Sequence, residues 1–235
     1  MGVSMKLEYV MEAKNVSKGF HGRMILDHVS LCVEKGTTIG IIGQNGSGKS
    51  LLFKIMVGLV RPDQGEVSVR GMKLGRNSDF PENVGILINS PGYIELYTGL
   101  ENLKFLAAIN HQITTEAIIA TMKLVGLNPD DKTKVKNYSM GMKQKLGIAQ
   151  AIMENQDILI LDEPFNGLDY QTSSDMKEII KNLQEEQRTI MITSHHFQDI
   201  EELCGAVYLI HNARLERLTD DGKKFYWDAG KLASK

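Results

Sequence analysis

Cysteine is scarce in this 235-residue chain: Cys32 and Cys204 are the only two, and they form neither a metal-type spacing nor a disulfide framework. Each sits among apolar neighbours, so both are expected to be reduced, buried fillers in a cytosolic protein. No uninterrupted apolar stretch approaches the roughly 20 residues that a membrane span needs, and Met1-Gly2-Val3-Ser4-Met5-Lys6 has no apolar signal core. Lys6 stands where a myristoylation signal wants Ser or Thr, so Gly2 is a poor lipid site. Any membrane connection is therefore expected to come through a partner. Long runs of one charge are also missing. With 27 basic and 29 acidic residues the formal net charge is -2, which argues against nucleic acid as a partner. There is no internal repeat and no low-complexity linker. A chain of this length buries one sizeable core, with room for a smaller inserted lobe, and two full domains would be cramped.

What is present begins with Gly43-Gln44-Asn45-Gly46-Ser47-Gly48-Lys49-Ser50, set between the apolar run Thr38 to Ile42 and the helix-like Leu51-Leu52-Phe53-Lys54-Ile55-Met56. Strand, Gly-rich turn and helix in that order make a cradle for nucleotide phosphates. Glycines let the backbone approach an anion, successive amide N–H groups point inward, and the helix N-terminus adds partial positive charge. Lys49 is expected to reach the terminal phosphates and Ser50 to hold Mg²⁺. Gly43, Asn45, Gly46, Ser47 and Gly48 supply the backbone of the cradle.

The remaining pattern reads as α/β. Up to about Val69 apolar residues alternate (Tyr9, Met11, Ala13; Val29, Leu31, Val33; Val67, Val69), which is sheet, antiparallel in part. Val84 to Ile88, Ile158 to Leu161 and Thr189 to Ile192 are continuous apolar runs of the kind buried on both faces of a parallel sheet. Between about Pro91 and Gln156 the spacing turns helical, with expected starts at Thr98-Gly99, Thr114 and Ser139 and a stop at Gly126 and Pro129. The expected organisation is a single domain over 1–235, with a core at about 1–90 and 157–218, a helical insertion at about 91–156, and a tail at 219–235. The tail carries Phe225, Tyr226 and the lone Trp227, for which packing is the simpler reading over a contact surface.

Two further strands end in chemistry. Ile158-Leu159-Ile160-Leu161 runs into Asp162-Glu163, and a central strand tolerates charge only at its end, where a ligand site can sit. Asp162 suits Mg²⁺, directly or through water. Glu163 suits a general base, or a positioning group, for the water that attacks the γ-phosphate. Thr189 to Ser194 ends at His195-His196, which places His195 beside the other strand ends, where it is expected to sense or polarise the γ-phosphate.

A last motif, Tyr138-Ser139-Met140-Gly141-Met142-Lys143-Gln144-Lys145, lies upstream of Asp162 and reads by itself as a Ser-capped helix. In order with the others it resembles the ATP-binding cassette family, specifically the nucleotide-binding subunit of a transporter, from about Met5 to Leu218. The resemblance implies a P-loop NTPase core, a RecA-like mixed sheet with an antiparallel β part, and an inserted helical subdomain. It implies ATP and Mg²⁺ as ligands and Lys49, Glu163 and His195 as catalytic residues. Ser139 and Gly141 match the family signature, Leu-Ser-Gly-Gly-Gln, whose serine and amides meet the γ-phosphate held by the opposite subunit, whereas Tyr138, Met140 and Met142 depart from it. Phe20 falls where the family places the aromatic that stacks on adenine, with a core role as the alternative. Asp169 falls in the loop that touches the other subunit, and Asn89 where most members carry a glutamine near Mg²⁺. The partners implied are a transmembrane permease and a second nucleotide-binding subunit, identical or homologous, at the cytoplasmic face of the membrane. Ile88-Asn89-Ser90-Pro91-Gly92-Tyr93 and the Met-bearing signature look most like exporters of peptides, drugs or antimicrobial compounds, of the bacitracin and lantibiotic type. Two alternatives stand beside this reading: a soluble cassette ATPase uncoupled from transport, and a regulatory cassette that binds ATP with little turnover.

Overall fold

The structure is a computed structural model, and it describes residues 8–75, 80–88, 92–110 and 113–223. Asn89 and the aromatic tail residues Phe225, Tyr226 and Trp227 lie outside the described residues.

The N-terminal alternation becomes a long hairpin of β1 (Tyr9–Phe20) and β2 (Arg23–Glu34), closed at His21-Gly22, where both residues have positive φ as a primed turn requires. β4 (Gln64–Val69) and β5 (Met72–Lys73) complete a four-stranded antiparallel sheet in the order β2-β1-β4-β5. Of the two cysteines expected to be buried, one is not. Cys32 is exposed, because the alternation along β2 buries Leu31 and Val33 and turns the residue between them outward. Cys204 is buried as expected, and burial pushes its thiol up to about 12.

The second sheet is built from β3 (Thr38–Ile42), β6 (Val84–Leu87), β7 (Ile158–Asp162), β8 (Thr189–Ser194), β9 (Ala206–His211) and β10 (Arg214–Arg217). Its order is β10-β9-β3-β8-β7-β6, parallel throughout except for the β9–β10 hairpin. The continuous apolar runs follow from two cores on its two faces. Leu159, Leu161, Ile190 and Ile192 enter a core shared with the helices after β6, whereas Ile158, Ile160 and Met191 enter one shared with the antiparallel sheet and α1 (Lys49–Met56). Every residue of β3, β7 and β8 is buried. β6 departs from the expectation: it lies at an edge, paired among the described residues only with β7, and Ile86 is 40% exposed.

The helical stretch contains α2 (Gly99–Asn110), α3 (Thr115–Leu124), a short 3₁₀ turn at Val135–Asn137 and α4 (Met140–Ile152). Each expected start is a cap. Thr98 and Glu101 form a reciprocal box: the Glu101 N–H donates to Thr98 Oγ1 and the Thr98 N–H to the Glu101 carboxylate. Thr114 Oγ1 accepts from the Ala117 N–H, and Ser139 Oγ from the Met142 N–H. α3 stops two residues before Gly126, whose φ of 71° is the left-handed conformation that glycine adopts without strain. After β7 come α5 (Tyr170–Glu185) and the short α6 (Phe197–Ile200), which follows β8. The strand order sets β3, β8 and β7 side by side, so the loops leaving their C-terminal ends meet at one crevice.

Candidate functional site

Lys49 opens α1, and its ammonium is turned back into the loop that precedes it. Nζ donates to the carbonyl oxygens of Gly43 at 2.7 Å and Gln44 at 3.3 Å, and lies 3.1 Å from Glu163 Oε1. The Lys49 side chain is only 5% exposed, so this cation depends on those three oxygens for its solvation. Gly43 tolerates no side chain, since a Cβ there would lie 2.6 Å from Ser47 Oγ and 2.7 Å from the Ile210 carbonyl. Gly48 caps α1 at φ 110°, which L-residues with side chains avoid.

Asp162 ends β7 and Glu163 follows it. Thr193, near the end of β8, ties the two together: its hydroxyl donates to Asp162 Oδ1 at 2.6 Å and accepts from the Glu163 N–H at 2.8 Å. Glu163 itself adopts φ 51°, a left-handed conformation that costs a non-glycine residue about 1–3 kcal/mol. The twist sends its carboxylate toward Lys49 on one side and His195 on the other, with His195 Nδ1 2.7 Å from Oε2. The His195 N–H donates to the same oxygen at 3.3 Å, and the His195 and His196 rings lie 4.0 Å apart between centroids.

A cavity of about 350 Å³ is lined by Phe20, Ile25, Asn45, Gly46, Gly48, Lys49, Ser50, Leu51 and Glu163. A larger one, about 660 Å³, shares Ile25, Asn45 and Gly46 with it and runs past His195 and His196 to His211 and Ala213. Every phosphate-cradle residue expected from the sequence thus borders one cavity or both, and Phe20, 48% exposed, forms a wall of the smaller one. Two observations fit an anionic occupant. Ser47 Oγ is buried with no hydrogen-bond partner among the described residues, and Gly46 has open space where a Cβ would stand. The Asp162 carboxylate and Ser50 hydroxyl are hard oxygen donors of the type Mg²⁺ prefers, and the ion would neutralise developing phosphate charge there. Ser139 and Gly141 line neither cavity.

The sequence profile of the ABC transporter family matches residues 26–166. The chain belongs to that family. It is 39% identical over 209 residues to an uncharacterized ABC transporter ATP-binding protein of Bacillus subtilis, covering 88% of this chain and 95% of the relative. Identity to the bacitracin transport ATP-binding protein BcrA of Enterococcus faecalis is 35%, over 90% of this chain and 69% of that one. For the lantibiotic transport ATP-binding protein SrtF of Streptococcus pyogenes it is 33%, over 88% and 89%. A solved ATP-binding subunit of an ABC transporter superposes with a TM-score of 0.80 at 25% identity, over 95% of this chain and 98% of that chain.

As an ABC cassette the chain is an ATP-binding ATPase subunit of a transporter with a P-loop NTPase fold. Two of its motif residues have structural duties besides any role at nucleotide. Ser139 caps α4, and Asp169 caps α5 by accepting from the Thr172 N–H at 2.9 Å and hydroxyl at 2.8 Å. Those bonds hold the Asp169 carboxyl below the usual carboxylate range. Gly141 is packed on α5, where a Cβ would meet Thr172 Cγ2 at 2.5 Å. Thr193 is the site residue that sequence reading missed. Threonine in an apolar strand passes as a β-former, and the only signal was its position opposite Asp162 in the parallel register.

Proposed function

We propose that this cassette is an ATP-driven engine for a membrane exporter of a peptide, drug or antimicrobial compound, working as a pair of subunits closed head to tail. Each ATP lies between the phosphate loop of one subunit and the Ser139 region of the other. The observation that carries the reading is the meeting of Lys49, at the start of α1, with Glu163 and, through its carboxylate, His195, just past the ends of β7 and β8. Without nucleotide these groups satisfy one another. A triphosphate offers Lys49 a stronger partner and releases the Glu163 carboxylate to orient or deprotonate water, while His195 reports on the γ-phosphate. Asp162 and Ser50 hold Mg²⁺, and Phe20 stacks on adenine. The position of Ser139 and Gly141 away from both cavities supports a site completed by a second subunit.

The helical stretch at about 91–156 is the lobe that meets the permease. Ile94, Leu96, Tyr97, Phe105 and Ile109 are exposed there by 40% or more, with Tyr97 and Phe105 packed edge to face at 4.9 Å. Such a patch suits a short amphipathic segment from a membrane subunit. No helix among the described residues is long and apolar enough to cross a membrane, so attachment at the cytoplasmic face runs through that permease. Relatives named for bacitracin and lantibiotic transport favour export of an antimicrobial compound.

The test is the mass in solution of the Glu163→Gln protein with ATP and Mg²⁺ and then with ADP. The expected result is an ATP-dependent shift from monomer to dimer, with turnover lowered by about 10²–10⁴-fold. Wild-type turnover would remove Glu163 from its role. A persistent monomer that binds ATP would overturn closure by the cassette alone.

A further inference from the structure

Phe20 does not stand alone in its cavity. The ammonium of Lys18 lies over its ring, 5.3 Å from the centroid, in cation–π range. Lys18 is in turn fixed by Asp63, from the turn that precedes β4: Oδ1 accepts from Lys18 Nζ at 2.6 Å. The other carboxylate oxygen accepts from the Gly19 N–H at 2.9 Å, and the Asp63 N–H donates to the Ser17 carbonyl at 2.8 Å. One aspartate therefore grips three consecutive residues immediately before Phe20. This end of β1 needs gripping, since its register with β2 slips between Val16 and Lys18 and again between Lys18 and Gly19. The Lys18 side chain is 17% exposed although it bears a full charge, whereas the Phe20 residue is 48% exposed. Lys18 and Gly19 also hold the Asp63 carboxyl below the usual carboxylate range, so the bridge stays charged at neutral pH.

We infer that Lys18 and Asp63 are positioning residues for the nucleotide base: Asp63 holds Lys18 against one face of Phe20, which fixes the ring and leaves its opposite face as the platform for a purine. The inference rests on the reading of Phe20 as the adenine platform and deepens it. A cation on one face draws π density toward itself, so the free face becomes a better acceptor for an electron-rich base. An ordinary exposed ion pair at this place would contribute little to stability and nothing to base binding. The two roles therefore separate in a ligand comparison.

The experiment measures binding of MgATP and of magnesium tripolyphosphate, which has the phosphates and no base, by titration calorimetry on the full chain. The variants are Lys18→Met, Lys18→Arg, Asp63→Asn and Phe20→Ala. Lys18→Met and Asp63→Asn are expected to weaken MgATP by about two- to fivefold while tripolyphosphate binds as in the wild type. Lys18→Arg, which keeps a cation over the ring, is expected to restore MgATP affinity. Phe20→Ala should weaken MgATP by roughly tenfold. If Phe20→Ala weakens MgATP but Lys18→Met and Asp63→Asn do not, the platform stands and the inference fails. Unchanged MgATP affinity in Phe20→Ala would overturn the platform and the inference together. Equal losses for both ligands in Lys18→Met and Asp63→Asn would place their effect in the phosphate loop or the fold, which also overturns it.

Discussion

At the scale of single residues, the site is a set of mutually compensating polar groups gathered where α1 begins and β7 and β8 end. Glu163 holds a strained backbone conformation because Thr193 bonds its N–H and because Lys49 and His195 hold its carboxylate. The meeting of Lys49, Glu163 and His195 was legible in the sequence, since a buried strand end otherwise carries no charge. Thr193 was not legible, because its work is a hydroxyl bridge visible only when β7 and β8 lie in register. Replacing it with valine keeps the shape but leaves Asp162 without its donor and the Glu163 N–H without its acceptor. Thr193→Val is expected to cost about 1–3 kcal/mol of folding stability, read by urea unfolding, and to lower ATP turnover. Thr193→Ser should restore most of both. A valine variant as stable and as active as the wild type would show that the hydroxyl bridge is dispensable.

At the scale of elements, strand and helix starts were legible because they rest on local chemistry. Thr98, Thr114 and Ser139 each became a cap, and Gly126 ended α3. Rank within the sheet was not legible. The run Val84 to Ile88 looks like a central strand, yet β6 lies at an edge, and its buried face makes a contact that no local pattern announces. α4 approaches β6 so closely that a Cβ on Gly85 would lie 1.8 Å from the Ala151 carbonyl oxygen and 2.9 Å from Leu159 Cδ2. The glycine is what lets the helix that begins at the Ser139 motif pack directly on the sheet that carries Asp162 and Glu163. Gly85→Ala therefore has no room and must shift backbone rather than a flexible side chain. It is expected to destabilise the protein by about 1–3 kcal/mol, seen as a lower melting temperature, even though alanine is otherwise the milder strand residue. A melting temperature equal to the wild type would mean that α4 stands further from β6.

At the scale of the molecule, the balanced composition read from the sequence hides an uneven use of acids. Carboxylates with lowered pKa recur beside the antiparallel sheet, in the helical stretch and on α5. Asp63, bonded by Lys18, braces the antiparallel sheet; Glu101, bonded first by the Thr98 N–H, and Asp131, by the Thr133 N–H, brace the helical stretch. Asp169, bonded by the Thr172 N–H, and Asp175, bonded by Lys145 of α4, brace α5. Each has a lower pKa folded than unfolded. Each therefore contributes stability that is present above the unfolded value, about 4, and is lost as pH falls through the folded value. Since the depressed groups bind fewer protons in the folded state over that window, acid favours unfolding, and it acts on the antiparallel sheet, the helical stretch and α5 together. Melting temperature measured by calorimetry is accordingly expected to fall as pH drops below about 4. The double variant Glu101→Gln, Asp169→Asn keeps neutral capping groups that do not titrate, so its acid limb should be shallower than the wild type, from a lower starting point at neutral pH. An acid limb of unchanged steepness would mean that these caps are not where the protons go.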